Sequence, residues 1–246
     1  MRTLFILGLM ILTACGDSSN NTGGSASVSA LKCTPQDKEK KESVKTTLSL
    51  TNFGATAVIT TLGTLVTWGE GKYGGDTSCA TEEFEIKVKN IYKTRFAFAA
   101  LKEDGSMVTW GAKASGGDSS SVKDKLVKIQ NVFATNQAFA ALTEAGAVVT
   151  WGDHGYGGDS HEVTEDIAKD VTTIVANDFA FAALKKDGSV YTWGDSSFGG
   201  NSLILREKLA SGVVKILSTK TAFAAQKTDG QILVWGEVDQ DYKWEF

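Results

Sequence analysis

Five tryptophans, each followed by glycine, recur along this chain at almost equal intervals. They are Trp68, Trp110, Trp151, Trp193 and Trp235, and their spacings are 42, 41, 42 and 42 residues. A unit of this length is one supersecondary element that cannot bury its own faces, so its copies must stack against one another. The spacing therefore predicts a five-repeat array over residues 48–246, with the tryptophan at the same structural position in each repeat.

Each repeat carries a hairpin pattern ahead of its tryptophan. A phenylalanine that opens Phe-Ala-Ala stands twelve residues before four of the tryptophans, and Thr56 takes that place in the first repeat. A turn signal such as Asp104-Gly105 lies between them. Asp-Gly between apolar runs predicts a two-residue type I′ turn. That turn places Ala99 opposite Trp110 and puts Phe98 on the other face of the sheet.

A third strand and a glycine loop complete the repeat. Paired apolar residues such as Val88 and Ile91 predict a strand ahead of each hairpin, and a double glycine such as Gly157-Gly158 follows Trp-Gly in the first four repeats. Residues 96–101 are apolar throughout, which is typical of a sheet buried on both faces. Asp159, followed by serine, predicts the N-cap of a short helix. The sequence thus predicts an all-β fold, a repeat-built β-propeller with five blades and short helical turns in the loops between strands.

The end of the array bears on whether the blades form a ring. Only residues 236–246 follow Trp235, too few for the loop and strand that follow the other tryptophans. An open array leaves an uncovered sheet face and a free edge, which natural proteins tend to avoid. We therefore expect the first blade to pack against the fifth, with residues 44–50 or the tail 242–246 joining them.

One stretch of the fourth repeat points to a family. Residues 187–194, Asp-Gly-Ser-Val-Tyr-Thr-Trp-Gly, are followed by Phe-Gly-Gly at 198–200, and together they resemble the repeats of the regulator of chromosome condensation and its bacterial relatives. The resemblance covers residues 48–237 and implies a rigid propeller that presents loops to a partner. The repeats here are shorter and fewer than is usual in that family. Its nucleotide exchange and chromatin binding are not expected of an exported, acidic chain, since fold is shared more widely than function.

The N-terminal segment predicts export and lipidation. Residues 4–12 are apolar and follow Arg2, which indicates a secretory signal too short to span a membrane. Residues 12–15, Leu-Thr-Ala-Cys, resemble the bacterial lipobox, so residues 1–14 are predicted to be a signal peptide and Cys15 the lipid-bearing first residue of the mature chain. The alternative is an ordinary secretory signal that ends in a cysteine by chance. We expect attachment through the lipid to a membrane of the bacterial cell envelope, the outer rather than the inner, because the residue after Cys15 is not aspartate.

Two segments connect this signal to the repeats. Residues 15–30 are rich in Gly, Ser, Asn and Thr and predict a flexible tether, and residues 31–47 form a charged segment. Besides Cys15 the chain has Cys33 and Cys79. An even number of cysteines in an oxidising compartment predicts a disulfide between them. Two unpaired thiols are the alternative.

Charge and composition disfavour nucleic acid as a partner and catalysis as an activity. The predicted mature chain has 24 basic and 29 acidic residues, and a nucleic-acid partner would require a clustered basic surface. His154 and His161 have no metal-ligand or triad spacing. We predict no catalytic residue, no cofactor and no metal. The alternative to solvated histidines is a zinc site that includes Asp159. The alternative to capping is a calcium site at the acids after the double glycines, such as Asp76 and Asp118.

The loops that follow the tryptophans are the predicted contact surface, because propeller loops gather on one face. The candidate ligand-contact residues are Tyr73, Asp76, Tyr156, Asp159, Phe198 and Asn201. Packing within the turns is the alternative for their aromatic rings, and packing between blades is the expected role of the five tryptophans. The predicted function is a lipid-anchored, non-catalytic module that binds an unidentified protein. A carbohydrate-binding propeller is the alternative, because an aromatic ring beside Asp or Asn could bind a glycan.

Overall fold

The computed structural model describes residues 46–77, 87–238 and 244–246. Its strands form five three-stranded antiparallel sheets, each built from three consecutive strands. The strands are β1 (Thr46–Thr51), β2 (Ala55–Thr60), β3 (Leu65–Gly69), β4 (Val88–Lys93), β5 (Ala97–Lys102), β6 (Met107–Gly111), β7 (Ile129–Ala134), β8 (Ala138–Thr143), β9 (Val148–Gly152), β10 (Val171–Ala176), β11 (Ala180–Lys185), β12 (Val190–Gly194), β13 (Val213–Ser218), β14 (Ala222–Lys227) and β15 (Ile232–Gly236). Short 3-10 helices occupy Gly71–Tyr73, Lys113–Ser115, Ser120–Lys125, His154–Tyr156, His161–Val163, Ser196–Phe198 and Leu203–Leu205. The predicted fold class, an all-β repeat-built propeller of five blades, is confirmed.

The middle strand of each blade forms the centre of the packing. Phe98 and Ala99 in β5 are both fully buried, although alternate side chains of a strand point to opposite faces. Phe98 packs with Ala57 of the first blade, whereas Ala99 packs with Phe139 of the third. The nearly continuous apolar run of this strand is thus explained, because one face meets the preceding blade and the other meets the following blade.

The repeated tryptophan joins neighbouring blades. In blades 2 to 5 its ring stacks on the phenylalanine of the middle strand, with centroid separations of 5.4, 5.2, 5.3 and 5.6 Å. Its indole N–H donates to a glycine carbonyl in the preceding blade's loop. These bonds run from Trp110 to Gly74, Trp151 to Gly116, Trp193 to Gly157 and Trp235 to Gly199, at 3.0, 3.0, 3.1 and 3.1 Å. These four tryptophans are therefore buried residues of the blade interfaces.

The hairpin register differs from the predicted one. Phe98 lies opposite Trp110 and Ala99 opposite Thr109, so phenylalanine and tryptophan share a face. The turn has three residues rather than two: Gly105 has a φ of 78° and its N–H donates to the Lys102 carbonyl, as in a type I turn followed by a left-handed glycine. The one added residue shifts the pairing by one and reverses which side chains meet.

The expected ring closure is not found among the described residues. Trp68 of the first blade is 53 % exposed, and its neighbour across the hairpin is Thr56 instead of phenylalanine. Thr46 and Ser49 hold the positions that Val88 and Ile91 hold in the second blade, and both are exposed. Polar residues at these positions are typical of the end of a repeat array, although Trp68 and Val66 remain exposed on the same face. Parts of both predicted joining segments, residues 44–45 and 242–243, lie outside the described residues.

Candidate functional site

One end of the propeller gathers the turns between the first and second strands of all five blades, and we call it the turn face. The first strands of successive blades contact each other, so these turns lie beside one another in a row. Four backbone hydrogen bonds link them in series, from Phe53 N–H to Arg95, from Arg95 to Asn136, from Asn136 to Asp178, and from Asp178 to Lys220, at 3.0, 2.7, 2.9 and 3.1 Å. We call these five residues the axial row. Among the described residues, no bond of this series returns from Lys220 to Phe53.

The loops after the third strands are tied to the same face. In blades 1 to 4 the residue that follows the first strand donates a side-chain hydrogen bond to a carbonyl of the 3-10 helix 21 residues later, as Asn52 does to Tyr73 at 2.8 Å and Thr94 to Ser115 at 2.9 Å. Asn177 makes the same bond to Phe198 at 2.6 Å. These bonds satisfy buried polar groups and hold the loops against the blade. The turn face is therefore a rigid surface.

A cluster of aromatic rings and one guanidinium group lies on the turn face between blades 1 and 2. Tyr73 contacts Phe53 and Phe96 at centroid distances of 5.5 and 5.4 Å, and Phe53 contacts Phe96 at 5.6 Å. The Arg95 guanidinium lies 5.7 Å from the Phe53 ring centre and 5.6 Å from that of Phe96. Phe53 is 61 % exposed. We call Phe53, Tyr73, Arg95 and Phe96 the aromatic–arginine cluster.

A second set of rings lies between blades 3, 4 and 5. Phe179 stacks on Phe198 at 4.2 Å and on Tyr156 at 5.5 Å. All three are partly buried. Tyr156 and Phe198 therefore direct their rings mainly at another side chain of the protein. This agrees with packing within the turns rather than with an open ring face for a ligand.

A depression of about 510 Å³ opens beside the axial row. Blades 1 to 4 contribute its walls, which consist of Thr51, Asn52, Phe53, Lys93, Thr94, Arg95, Ala134, Thr135, Asn136, Asn177 and Asp178. We call it the axial depression. Its size falls within the roughly 300–1,000 Å³ of ligand sites in proteins. The aromatic–arginine cluster lies at its rim, because Phe53 and Arg95 belong to both.

The predicted polar contact residues lie away from this face. Asn201 and Asp159 each accept a hydrogen bond at 2.9 Å from the backbone N–H two residues later, which is a capping role. Asn201 lines a cleft of about 210 Å³ beside β12, between the connections that precede and follow blade 4. Asp76 is exposed and is held in a further interaction of its own. The structure thus separates the aromatic candidates on the turn face from the polar candidates beside the third strands.

Both histidines contact one carboxylate. Nδ1 of His154 and of His161 lie 3.2 and 2.9 Å from Asp159 Oδ2, and both imidazoles are largely exposed. Partial burial opposes ionisation of Asp159, but hydrogen bonds from His161 and the charge interaction with both imidazoles outweigh it and lower the pKa of this carboxyl. Within residues 46–77, 87–238 and 244–246, no group of three or more His, Cys, Asp or Glu is placed to hold a metal ion.

Several predictions of the sequence fall outside the described residues. Cys15, Cys33 and Cys79, the signal peptide 1–14 and the tether 15–30 are among them. In the part of the chain that is described, no helix has the length and apolarity needed to cross a membrane. Lipidation and the disulfide therefore stay predictions.

Sequence reasoning missed the residues that form the axial surface. Phe53, Arg95 and Phe179 lie in the turns just before the middle strands, and Phe96 was counted as part of the buried run. A signal was present, because the position just before the middle strand holds phenylalanine in blades 2 and 4 although the strand's own pairing starts one residue later. An apolar side chain beyond the last strand pair has no blade to pack against and faces the end of the sheet.

Comparison with known proteins finds that one blade is similar to a known repeat family. Residues 171–199 match the family described as Regulator of chromosome condensation (RCC1) repeat. They contain β10, β11, β12 and the following 3-10 helix, which make one complete blade. No curated protein matches this chain in sequence.

Several solved structures align with this chain at low sequence identity. Human WBSCR16 is 17 % identical with a TM-score of 0.49, over 75 % of this chain and 60 % of that one. The ectodomain of the Physcomitrella patens receptor kinase CR4 is 16 % identical with a TM-score of 0.49, over 77 % and 51 %. Yeast RCC1 (Prp20), solved with bound Kap60, is 14 % identical with a TM-score of 0.49, over 78 % and 56 %. This chain thus spans 51–60 % of the length of these three structures.

The fold and the surface together define a class of protein. It is a propeller built from five similar three-stranded blades, with a rigid, partly aromatic surface at one end of the axis. One of its blades, the fourth, is similar to the RCC1 repeat.

Proposed function

We propose that this protein is a non-catalytic binding module that engages another protein through its turn face. The aromatic–arginine cluster carries this proposal. Aromatic residues and arginine are enriched at protein interfaces and among the residues that contribute most to binding, which lie in pockets that the partner fills. Phe53 exposes most of its ring at the rim of such a depression.

The chemistry of the cluster supports binding rather than proton transfer. Phenylalanine rings do not titrate, and a guanidinium stays protonated at any physiological pH. A general acid or base needs a pKa near the working pH. Phe53, Phe96 and Arg95 therefore offer apolar contact area and a permanent charge.

Protein is favoured over carbohydrate as the partner. A sugar-binding loop needs an open aromatic face beside unused polar atoms. Tyr156 and Phe198 instead contact Phe179, and the oxygens of Asp159 and Asn201 cap their own turns. We further propose that a lipid on Cys15 holds the module at the bacterial envelope, with residues 16–30 as its tether.

Photocrosslinking in the native type of host tests the proposal. A benzoyl-phenylalanine at position 53 places the probe on the turn face, and the same residue at position 62 serves as the control. Leu62 is 77 % exposed and lies in the turn at the opposite end of the first blade. We expect one discrete protein adduct from position 53 and none from position 62. Equal adducts from both positions, or a glycan array that shows saturable binding unaffected by Phe53→Ala, would contradict a protein-binding turn face.

A further inference from the structure

Arg95 is held in a fixed position with its charged group available. Its backbone N–H donates to Asn136 and its carbonyl accepts from Phe53, so the main chain is part of the axial row. Its guanidinium lies within 6 Å of two aromatic ring centres. Such stacking orients a planar group whose N–H donors form a rigid fork. Among the described residues, no carboxylate forms an ion pair with Arg95.

A second cation lies on the same wall of the axial depression. Lys93 is exposed, and its ammonium group donates to the Thr51 carbonyl of the first blade. Asn52 and Asn136 add amide groups to the lining, and Asp178 lies further along the axial row, beyond Asn136. One side of the depression is therefore basic in a chain whose formal net charge is −4.

We propose that the axial depression binds an acidic peptide segment of the partner protein, with Arg95 pairing to one of its carboxylates. This inference rests on the proposed function. The fork of a guanidinium matches the two oxygens of a carboxylate, and charge-assisted pairs of this kind are about twice as strong as neutral hydrogen bonds. Phe53, which lines the depression and is largely exposed, supplies apolar contact for the peptide beside that pair. Asp178 disfavours a polyphosphate chain, which carries an anionic group at every unit, more than a peptide whose acidic residues are separated by neutral ones.

A randomised dodecapeptide library displayed on phage provides the probe, with the immobilised full chain as the target. We expect the enriched peptides to contain an excess of Asp and Glu over the starting library. Arg95→Gln should weaken binding of the enriched peptide by roughly tenfold to a hundredfold, the range for loss of a hydrogen-bonded charge pair. Replacing the peptide glutamate that pairs with Arg95 by glutamine should weaken binding to the same extent. Lys186→Gln is the matched control, because this exposed lysine lies in a hairpin turn at the opposite end of blade 4.

Three outcomes would overturn the inference. They are an enriched set without excess acidic residues, an Arg95→Gln affinity equal to that of Lys186→Gln, and Arg95-dependent binding of oligothymidylate tighter than that of the peptide. Arg95→Lys keeps the positive charge but removes the planar fork, so it tests the fork itself. The urea midpoint of each variant shows whether a loss of binding comes from a loss of folding. If the adduct from position 53 persists while any of these outcomes is found, protein binding stands and carboxylate recognition is wrong.

Discussion

Gly74→Ala should destabilise the protein strongly although it adds only one methyl group. Gly74 ends the first 3-10 helix with a φ of 95°, a conformation that alanine rarely adopts. A Cβ at this position would lie 2.8 Å from Phe98 Cδ2 and 2.9 Å from Trp110 Cδ1. Both rings are buried and stacked on each other, so neither can move away. The Gly74 carbonyl also accepts the Trp110 indole hydrogen bond.

The magnitude follows from three contributions to the free energy of unfolding. A left-handed backbone costs alanine about 1–2 kcal/mol. Overpacking against buried rings costs about 1–3 kcal/mol. The lower entropy of the unfolded chain offsets about 0.4–1 kcal/mol of this. We therefore expect a net loss of about 3 kcal/mol, a large part of the roughly 5–15 kcal/mol that stabilises a typical protein.

Equilibrium urea unfolding followed by tryptophan fluorescence measures this loss. Gly71→Ala is the matched control, because Gly71 lies in the same loop, has no positive φ, and would place its Cβ at an ordinary 3.6 Å from Asp76. Both variants change the unfolded chain alike, so their difference isolates the folded-state cost. The reasoning is refuted if Gly74→Ala unfolds within about 0.5 kcal/mol of Gly71→Ala at an unchanged m-value.

Three further predictions concern the array and its attachment. Trp151→Ala should lower the unfolding free energy by about 3–5 kcal/mol and Trp68→Ala by less than about 1 kcal/mol, because only Trp151 is buried between blades. Equal losses in urea unfolding would instead indicate a covered first blade and a closed ring. Cys15→Ser should release the protein from membranes, and a wild-type protein without an acyl group in mass spectrometry would exclude lipidation. Cys33 and Cys79 should resist alkylation until a reductant is added, and two freely alkylated thiols would argue for the unpaired alternative.

The repeat period and the strand content could be predicted from the sequence alone. The spacing of Trp-Gly and the apolar runs such as residues 96–101 depend on local chain geometry, and burial on both faces follows from that composition. The fold class was therefore predictable. The loop aromatics Tyr73, Tyr156 and Phe198 were also singled out by their fixed distance from the tryptophan.

Only the tertiary structure decided the register, the ends of the array and the binding surface. A single extra turn residue after Lys102 reverses which side chains meet, and Asp-Gly is compatible with either turn length. Thr46, Ser49 and Thr56 can be assigned to the outer face of the first blade only because the structure places them at positions that are apolar in the next blade. Arg95 stacks on Phe53 from another blade, 42 residues earlier in the chain. No local pattern encodes that contact, because it arises from the way in which rigid blades stack around a common axis.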